Sequence, residues 1–373
     1  MSATVTGSRA VVESLLGLDR GSRSGYRWLN LHRSSLLLPT GAPRAAACAL
    51  ERRSARTPAW SIAGRRVISA TLRGLATLDR RPAPPATSPI MQWIATELDR
   101  SDLAVVALLG PPRPNDKPVL QVVDHAGTTL AWAKIGWSPL TCRLVEHETR
   151  VLADLRPLDP RLRVPTPIAA TTIDGCSIAL HSALPVWEGS HQGVEPDVVW
   201  LTRAIAETGS TSTAMVGESA YFAHLCERVA RVEPAPARDT VTRVTDGILA
   251  AVGDVPVHCG RFHGDLSPWN LDWQTEGVLV WDWERSEDEL PVGLDTVHFS
   301  VQEHVGAPLA DVARTAATTY TTAVGQDPRL AVLLERAYPL EIFLRREEEQ
   351  REASAGADPA AVATLLTHLE QFA

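Results

Sequence analysis

Residues 263–284 read HGDLSPWNLDWQTEGVLVWDWE, and this stretch decides the interpretation of the whole chain. A carboxylate, Asp265, and an amide, Asn270, lie five positions apart at its start. Two apolar segments follow, Leu271–Trp273 and Val278–Trp281, and the turn-like sequence QTEG joins them. Short apolar runs separated by a polar turn that contains glycine predict a β-hairpin.

This hairpin returns the chain to the end from which it started. Asn270 precedes the first strand and Asp282 follows the second, so we expect the two side chains to lie side by side. Mg²⁺ prefers oxygen ligands and takes few of them from the protein, which leaves room for substrate phosphates. Asp265, on the preceding loop, is placed to accept a proton from a hydroxyl group that attacks a phosphate there.

The pattern H-G-D-x-x-P-x-N, followed by two apolar residues and D-W-E, closely resembles the aminoglycoside phosphotransferases and their relatives. These proteins are small-molecule kinases with a protein-kinase-like fold that use ATP and Mg²⁺. The resemblance implies that Asp265 is the catalytic base and that Asn270 and Asp282 hold magnesium. It also implies that Asp295, in the later sequence Gly-Leu-Asp, braces the catalytic loop through its backbone.

Three apolar segments upstream predict an antiparallel meander, namely Leu103–Leu109, Val119–Asp124 and Thr129–Ile135. In kinases the loop between the first two strands covers the nucleotide phosphates and is rich in glycine. Here that loop, residues 110–118, has one glycine and four prolines. Proline has no backbone N–H to offer a phosphate, so no site residue is assigned to this loop.

Lysine is rare in this chain, since only Lys117 and Lys134 occur among 36 basic residues. Lys134 lies near the end of the third strand of the meander and resembles the kinase lysine that contacts the α- and β-phosphates. Helical periodicity over Arg143–Leu155 places Glu148 within an apolar stripe and Glu146 on the opposite side. A buried carboxylate needs a counter-charge, so the sequence predicts that Lys134 pairs with Glu148.

The predicted fold class is α+β, a protein-kinase-like bilobal fold with a small antiparallel β-sheet lobe and a mainly helical lobe. We expect an N-terminal extension over residues 1–97, a nucleotide-binding lobe over 98–184 and a helical lobe over 185–373. By resemblance, the backbone of Ser182 to Leu184 contacts the adenine where one lobe passes into the other. Glu347–Glu349 are expected on a solvated helix face.

The extension carries a net charge of +9 over residues 1–100, whereas residues 101–373 carry −17. An acidic body argues against nucleic acid as a partner. Four prolines, at 82, 84, 85 and 89, indicate a linker at the end of the extension. The favoured interpretation of the extension is a small packed subdomain with an arginine-rich solvated face.

No apolar run reaches the ~18 residues that a membrane span needs, and the first residues lack the order of a secretory signal. The five cysteines are scattered and form no C-x-x-C pair, which favours reduced thiols in a cytoplasmic protein. The phosphate loop G-x-x-x-x-G-K-S/T, the dinucleotide fingerprint, the nucleophile elbow and H-E-x-x-H are all absent.

The sequence therefore predicts an ATP-dependent phosphotransferase that acts on a hydroxyl group of a small molecule, such as a sugar, an aminoglycoside or another natural product. Lys134 and Glu148 would position the phosphates, with Ser182 and Leu184 at the adenine. Two alternatives stay open. One is a pseudokinase that serves as a scaffold, and the other is a metal-dependent hydrolase with His263, Asp265 and Asp282 as ligands.

Overall fold

The computed structural model describes residues 7–18, 25–30, 35–50, 67–71, 74, 88–110, 113, 115–186, 197–352 and 359–372. The chain forms two compact units. The first combines Met1–Ala153 with Pro165–Pro185, and the second combines Asp154–Val164 with Val186–Ala373. The first unit contains a large antiparallel sheet, and the second is mainly helical, so the predicted α+β class is confirmed. Within the described ranges, no helix has the length and apolar character needed to cross a membrane.

The described part of the first unit contains one seven-stranded antiparallel sheet in the order β1-β2-β3-β4-β5-β8-β7. Its strands are β1 (Tyr26–Asn30), β2 (Ser35–Pro39), β3 (Leu103–Leu109), β4 (Val119–Asp124), β5 (Thr129–Gly136), β7 (Pro167–Ile173) and β8 (Cys176–Ser182). The meander β3-β4-β5 lies at the centre of the sheet, as the sequence predicts.

Strand β3 is apolar along its whole length because both faces of the sheet are covered. Its residues at 103, 105, 107 and 109 pack in a core with the helices Ser8–Leu15 and Pro89–Glu97. Ala104 points to the other face, where it packs with Ala45 of the helix Pro43–Leu50. Side chains alternate between the two faces of a strand, so each core receives every second residue.

The N-terminal extension is part of the first unit, because β1 and β2 lengthen its sheet and β2 pairs with β3. Pro89 does not belong to a linker. It is the first residue of the helix Pro89–Glu97, and the Ser88 side chain accepts a hydrogen bond from the Met91 N–H at 3.4 Å. Proline is favoured at this position because the first N–H groups of a helix need no helical partner. The prolines at 82, 84 and 85 lie outside the described residues.

The second unit is built from helices around one apolar core, to which two small sheets are added. Its helices are Val198–Ala206, Ala220–Ala230, Ala235–Val252, Leu294–Glu303, Leu309–Ala323, Leu330–Glu352 and Pro359–Leu369. One sheet joins β9 (Ser212–Met215), β10 (Pro256–Phe262) and β13 (Glu287–Pro291), and the other joins β6 (Leu162–Arg163), β11 (Leu271–Gln274) and β12 (Gly277–Val280).

The predicted hairpin is formed by β11 and β12, which pair in antiparallel register from Leu271 opposite Val280 to Gln274 opposite Gly277. Gly277 has a φ of 147°, and a Cβ at this position would lie 2.1 Å from the backbone oxygen of Arg161. Only glycine therefore lets the hairpin approach the strand β6 this closely.

The expectation that Glu347–Glu349 lie on a solvated helix face was wrong for Glu347 and Glu349, whereas the Glu348 side chain is 41% exposed. Glu347 and Glu349 are buried and pair with arginines, Glu347 with Arg351 and Glu349 with Arg285. Burial of a carboxylate is tolerated when a cation neutralises it. The negative charges of these two glutamates are therefore neutralised by arginines within the second unit.

Candidate active site

The loop that follows β10 brings together the first two predicted site residues. The Asn270 side-chain N–H₂ donates to the Asp265 carboxylate at 2.9 Å and also to the Asp265 backbone oxygen at 2.9 Å. A turn closed by the Asn270 N–H and the Ser267 backbone oxygen, at 2.9 Å, makes this approach possible. The amide nitrogen is thus fully engaged, and the amide oxygen is turned away from Asp265.

The hairpin returns Asp282 to the same place. The Trp281 N–H donates to the Asn270 backbone oxygen at 3.0 Å, so Asp282 directly follows the residue opposite Asn270. Asp282 has a φ of 71°, a left-handed conformation that is uncommon for residues other than glycine. Its negative charge acts to raise the pKa of Asp265. The structure therefore gathers Asp265, Asn270 and Asp282 at one end of the hairpin.

Asp295 braces the start of the loop. One carboxylate oxygen accepts from the His263 N–H at 2.8 Å, and the other accepts from the Gly264 N–H at 3.2 Å. Burial raises the pKa of Asp295 to about 7, although the two backbone donors act in the opposite direction. These contacts are the backbone support that the resemblance implied for this residue.

His263 fastens the loop to the hairpin. Its Nδ1 accepts from the Asp265 N–H at 3.2 Å, and its Nε2 lies 3.2 Å from the Trp281 backbone oxygen. A carbonyl oxygen only accepts, so Nε2 carries the proton. The ring stacks at a tilt on Trp283, with 4.6 Å between ring centroids, and burial lowers the pKa of His263 to about 4. Both ring nitrogens are occupied by backbone groups, so this arrangement leaves none for a metal ion.

Three residues that support the loop carrying Asp265 were not predicted from the sequence. His298 Nε2 lies 3.3 Å from one Asp265 carboxylate oxygen, and the Tyr338 hydroxyl lies 3.3 Å from His298 Nδ1. Arg345 donates to the Gly264 backbone oxygen at 2.7 Å, and burial lowers the pKa of its guanidinium. One signal was available, because His298 follows Asp295 by three positions and residues at this spacing share a helix face.

Two effects act in opposite directions on the pKa of the Asp265 carboxylate. Burial raises its pKa, the hydrogen bond with His298 is the largest influence in the opposite direction, and the net pKa is lowered. Asp265 is therefore ionised at neutral pH. About a third of its side chain, 35%, remains exposed, so the carboxylate can be reached from outside.

In the first unit, Lys134 and Glu148 form an ion pair. Lys134 Nζ lies 2.8 Å from Glu148 Oε1 and 2.7 Å from Glu148 Oε2. Glu148 is buried on the helix Pro139–Asp154, whereas Glu146 accepts a hydrogen bond from Ser177 at 2.6 Å. The apolar stripe of that helix thus distinguished the two glutamates correctly.

The segment predicted at the adenine lies at the end of β8. The Ser182 N–H donates to the Thr166 backbone oxygen at 2.8 Å, and the Ala183 N–H donates to the Leu130 backbone oxygen at 3.2 Å. Neither N–H is available to a nucleotide in this arrangement. The backbone carbonyl of Ser182 and the backbone of Leu184 remain the candidate contacts.

The proline-rich loop is described in part, at residues 110, 113 and 115–118. Ser8, on the first helix, donates a short hydrogen bond to the Asp116 carboxylate, and the Trp137 indole donates to the Asp116 backbone oxygen at 2.9 Å. Burial raises the pKa of Asp116. This part of the loop is held by the protein's own side chains.

Comparison by sequence finds no matching family model and no matching curated protein. Comparison of structures does find similar chains. A choline/ethanolamine kinase family protein from Mesorhizobium loti is 15% identical with a TM-score of 0.45, covering 77% of this chain and 91% of that one. A putative fructosamine-3-kinase from Haemophilus somnus 129PT is 13% identical with a TM-score of 0.41, covering 75% and 96%.

A thermostable mutant of aminoglycoside phosphotransferase APH(4)-Ia, in a ternary complex with AMP-PNP and hygromycin B, is similar at a TM-score of 0.50. It is 12% identical, and the match covers 75% of this chain and 96% of that one. At this identity the similarity establishes the fold. The chain described here has the protein-kinase-like fold that the sequence predicted, as it occurs in small-molecule phosphotransferases.

Proposed function

We propose that this protein is an ATP-dependent phosphotransferase that moves the γ-phosphate to a hydroxyl group of a small molecule. The observation that carries the proposal is the convergence of Asp265, Asn270 and Asp282 at one end of the β11–β12 hairpin. A proton acceptor beside two hard oxygen donors is a composition suited to phosphoryl transfer. The fold supports the proposal without specifying the acceptor.

Asp265 would orient the acceptor hydroxyl and accept its proton. Its lowered pKa keeps the carboxylate ionised at neutral pH, and its exposed portion leaves it accessible. Each carboxylate oxygen offers two acceptor sites. The contacts with Asn270 and His298 use one site on each oxygen, so an acceptor hydroxyl can still donate to Asp265.

Asn270 and Asp282 fit a magnesium site by their chemistry. Because the Asn270 amide nitrogen is engaged by Asp265, its oxygen is oriented for a different ligand. The left-handed backbone at Asp282 sets the direction of its carboxylate. Amide and carboxylate oxygens are the ligands that Mg²⁺ takes in such sites. When bound, the ion would supply positive charge against the phosphate oxygens.

Lys134 would contact the nucleotide phosphates from the first unit. Glu148 holds the ammonium group at the end of β5, and the helix that carries Glu148 keeps the carboxylate buried. A compact ammonium serves as a point charge for a phosphate group. Ser182, through its carbonyl, and Leu184 would complete the nucleotide contacts at the end of β8.

The proposal is tested by measuring hydrolysis of ATP in the presence of Mg²⁺, in which water replaces the unidentified acceptor. We expect slow hydrolysis by the wild-type protein and a loss of about 100-fold or more in Asp265→Asn, because general-base catalysis contributes ~10²–10⁴ in rate. Asp272→Asn, a carboxylate change within the same hairpin, is the matched control and should retain the wild-type rate.

Two other results would assign the protein to a different functional class. Binding of Mg-ATP with no hydrolysis above that of Asp265→Asn would favour the pseudokinase. Stoichiometric transition metal in the purified protein, bound without nucleotide, would favour the hydrolase, although the occupied nitrogens of His263 argue against it. Once hydrolysis is established, a thermal-shift screen of hydroxyl compounds with a non-hydrolysable ATP analogue identifies the acceptor class.

A further inference from the structure

A buried histidine, His298, contacts the carboxylate of Asp265, the proposed base. His298, on the helix Leu294–Glu303, is 3% exposed, and its Nε2 lies 3.3 Å from an Asp265 carboxylate oxygen. An ionised carboxylate can only accept hydrogen bonds. The proton of the imidazole must therefore sit on Nε2, where it is donated to Asp265.

The opposite nitrogen of the same ring has its own partner. The Tyr338 hydroxyl, on the helix Leu330–Glu352, lies 3.3 Å from His298 Nδ1. The two rings meet edge to face, with 5.7 Å between centroids, and Tyr338 is also buried. With the proton on Nε2, Nδ1 of a neutral ring is an acceptor, so the tyrosine hydroxyl donates to it. The acceptor-only Asp265 carboxylate requires the Nε2–H tautomer, and the hydrogen bond that Tyr338 donates to Nδ1 stabilises the same tautomer.

The Asp265 carboxylate is consequently held at both oxygens. Asn270 donates to one at 2.9 Å, and His298 contacts the other. Rotation of the carboxylate would break one of these hydrogen bonds, so the pair fixes the plane of the group. Asn270 comes from the loop itself, whereas His298 and Tyr338 come from two helices of the surrounding core.

We propose that His298 is a positioning residue for Asp265 and that Tyr338 acts through it by stabilising its Nε2–H tautomer. This inference rests on the proposed function, because it assigns a role in the reaction to residues behind the proposed base. A base displaced by about 1 Å loses on the order of 100-fold in rate. Outer-shell partners that orient metal ligands typically contribute about 10- to 100-fold, and we expect a comparable effect for a residue that orients the base.

The tautomer is tested without any activity. Histidine side chains labelled with ¹⁵N report by NMR which ring nitrogen carries the proton, and His298→Gln identifies the resonances of His298. We expect the Nε2–H tautomer in the wild-type protein and a mixture of tautomers in Tyr338→Phe. An Nδ1–H tautomer in the wild type, a ring protonated on both nitrogens, or spectra unchanged by Tyr338→Phe would overturn the assigned relay.

The positioning role is tested by the kinetics of Mg-ATP hydrolysis. We expect His298→Leu to lower kcat about 10- to 100-fold with the KM for ATP nearly unchanged. His298→Gln should recover much of that loss, because its amide places an N–H donor at a reach similar to Nε2. Tyr338→Phe should lower kcat by a few-fold.

Two controls separate positioning from packing. His304→Leu, at the carboxyl end of the same helix, and Tyr320→Phe, a buried tyrosine on the helix Leu309–Ala323, should leave kcat unchanged. Equal losses in His298→Leu and His298→Gln, when both variants fold with the wild-type Tm, would show that His298 only packs. If the wild-type protein hydrolyses no ATP, the proposed function fails and the tautomer measurement still decides the relay.

Discussion

Lys134 Nζ lies 2.7 Å from Glu148 Oε2, and the two side chains are only 12% and 1% exposed. Removal of one partner from a buried ion pair leaves a charge without compensation, which costs about 3–5 kcal/mol. We therefore expect Lys134→Met to lower the free energy of unfolding by about 3 kcal/mol, measured by urea denaturation.

The matched experiments use the double variant and the other lysine. Lys134→Met combined with Glu148→Met should recover most of the lost stability, because two apolar side chains can replace a buried pair at little cost. Lys117 is half-buried and donates to the Asn115 backbone oxygen at 3.2 Å, so Lys117→Met should lower the free energy of unfolding by about 1 kcal/mol, the usual net value of one hydrogen bond. A single variant as stable as the wild type would contradict a buried, paired Lys134.

Gly264, directly before Asp265, has no room for a side chain. Its φ is +79°, and a Cβ there would lie 2.2 Å from the backbone oxygen of Arg285. Gly264→Ala must therefore displace backbone on the loop that carries Asp265. We expect it to abolish Mg-ATP hydrolysis and to destabilise the protein by well over the ~1–2 kcal/mol that a left-handed alanine costs.

Gly175 provides a matched control, because its φ is also +79° but a Cβ there would meet nothing within 4 Å. Gly175→Ala should cost only the conformational ~1–2 kcal/mol, and hydrolysis should be retained. If the two alanine variants were equally stable and equally active, the close approach of Gly264 to Arg285 would be wrong.

The parts of the site that the sequence predicted are those set by local geometry. A short hairpin joins Asn270 to Asp282, and Asp265 lies five residues before Asn270. The spacing of the three residues in the sequence therefore predicted that their side chains lie close together. Lys134 and Glu148 lie on consecutive elements, and helical periodicity selected the glutamate.

The parts that the sequence did not predict depend on distant packing. Tyr338 is 73 residues from Asp265, and nothing in the pattern of its helix indicates that its hydroxyl meets His298. Glu349 looked solvated because charge runs usually are, and only the fold reveals that Arg285 neutralises it. The strands β1 and β2 were missed because their segments are short and resemble no motif.

Removal of Arg228 alone is expected to destabilise the second unit. It is buried, and its guanidinium lies 2.5 Å from Glu341 and 2.9 Å from Glu348. Burial alone would lower the pKa of Arg228, but the two glutamates outweigh it and the net pKa is raised. Arg228→Met would leave the buried Glu341 carboxylate uncompensated, so we expect a loss of about 3–5 kcal/mol in urea denaturation.

The ion pair between Arg314 and Glu335 is the control for this change, because its arginine lies largely in solvent. Arg314 is 59% exposed and Glu335 is 13% exposed, and a pair screened by water on the arginine side contributes about 0–1 kcal/mol. Arg314→Met should therefore be nearly neutral. Equal effects of Arg228→Met and Arg314→Met would mean that the Arg228 pair is not buried in solution.

The stability of the second unit should also depend on pH through two groups with opposite effects. Burial lowers the pKa of His263 from 6.5 to about 4, so the folded state keeps the ring neutral where the unfolded state binds a proton. Its contribution to stability is complete above pH 6.5 and is lost as the pH falls to about 4. Burial raises the pKa of Asp295 from 3.8 to about 7, so its contribution is complete below pH 3.8 and is lost as the pH rises to about 7.

Because the two effects partly cancel in the wild-type protein, single variants are needed to separate them. For His263→Gln, we expect the stability advantage of the wild type to be larger at pH 7 than at pH 4 by about 3 kcal/mol, since each pKa unit corresponds to ~1.4 kcal/mol. For Asp295→Asn, the wild-type advantage should be smaller at pH 7 than at pH 4. Urea denaturation at intervals from pH 4 to pH 7.5 measures both differences. A difference for His263→Gln that does not change with pH would show that the imidazole is accessible to protons, and the anchoring of the loop to Trp281 through a neutral ring would then be wrong.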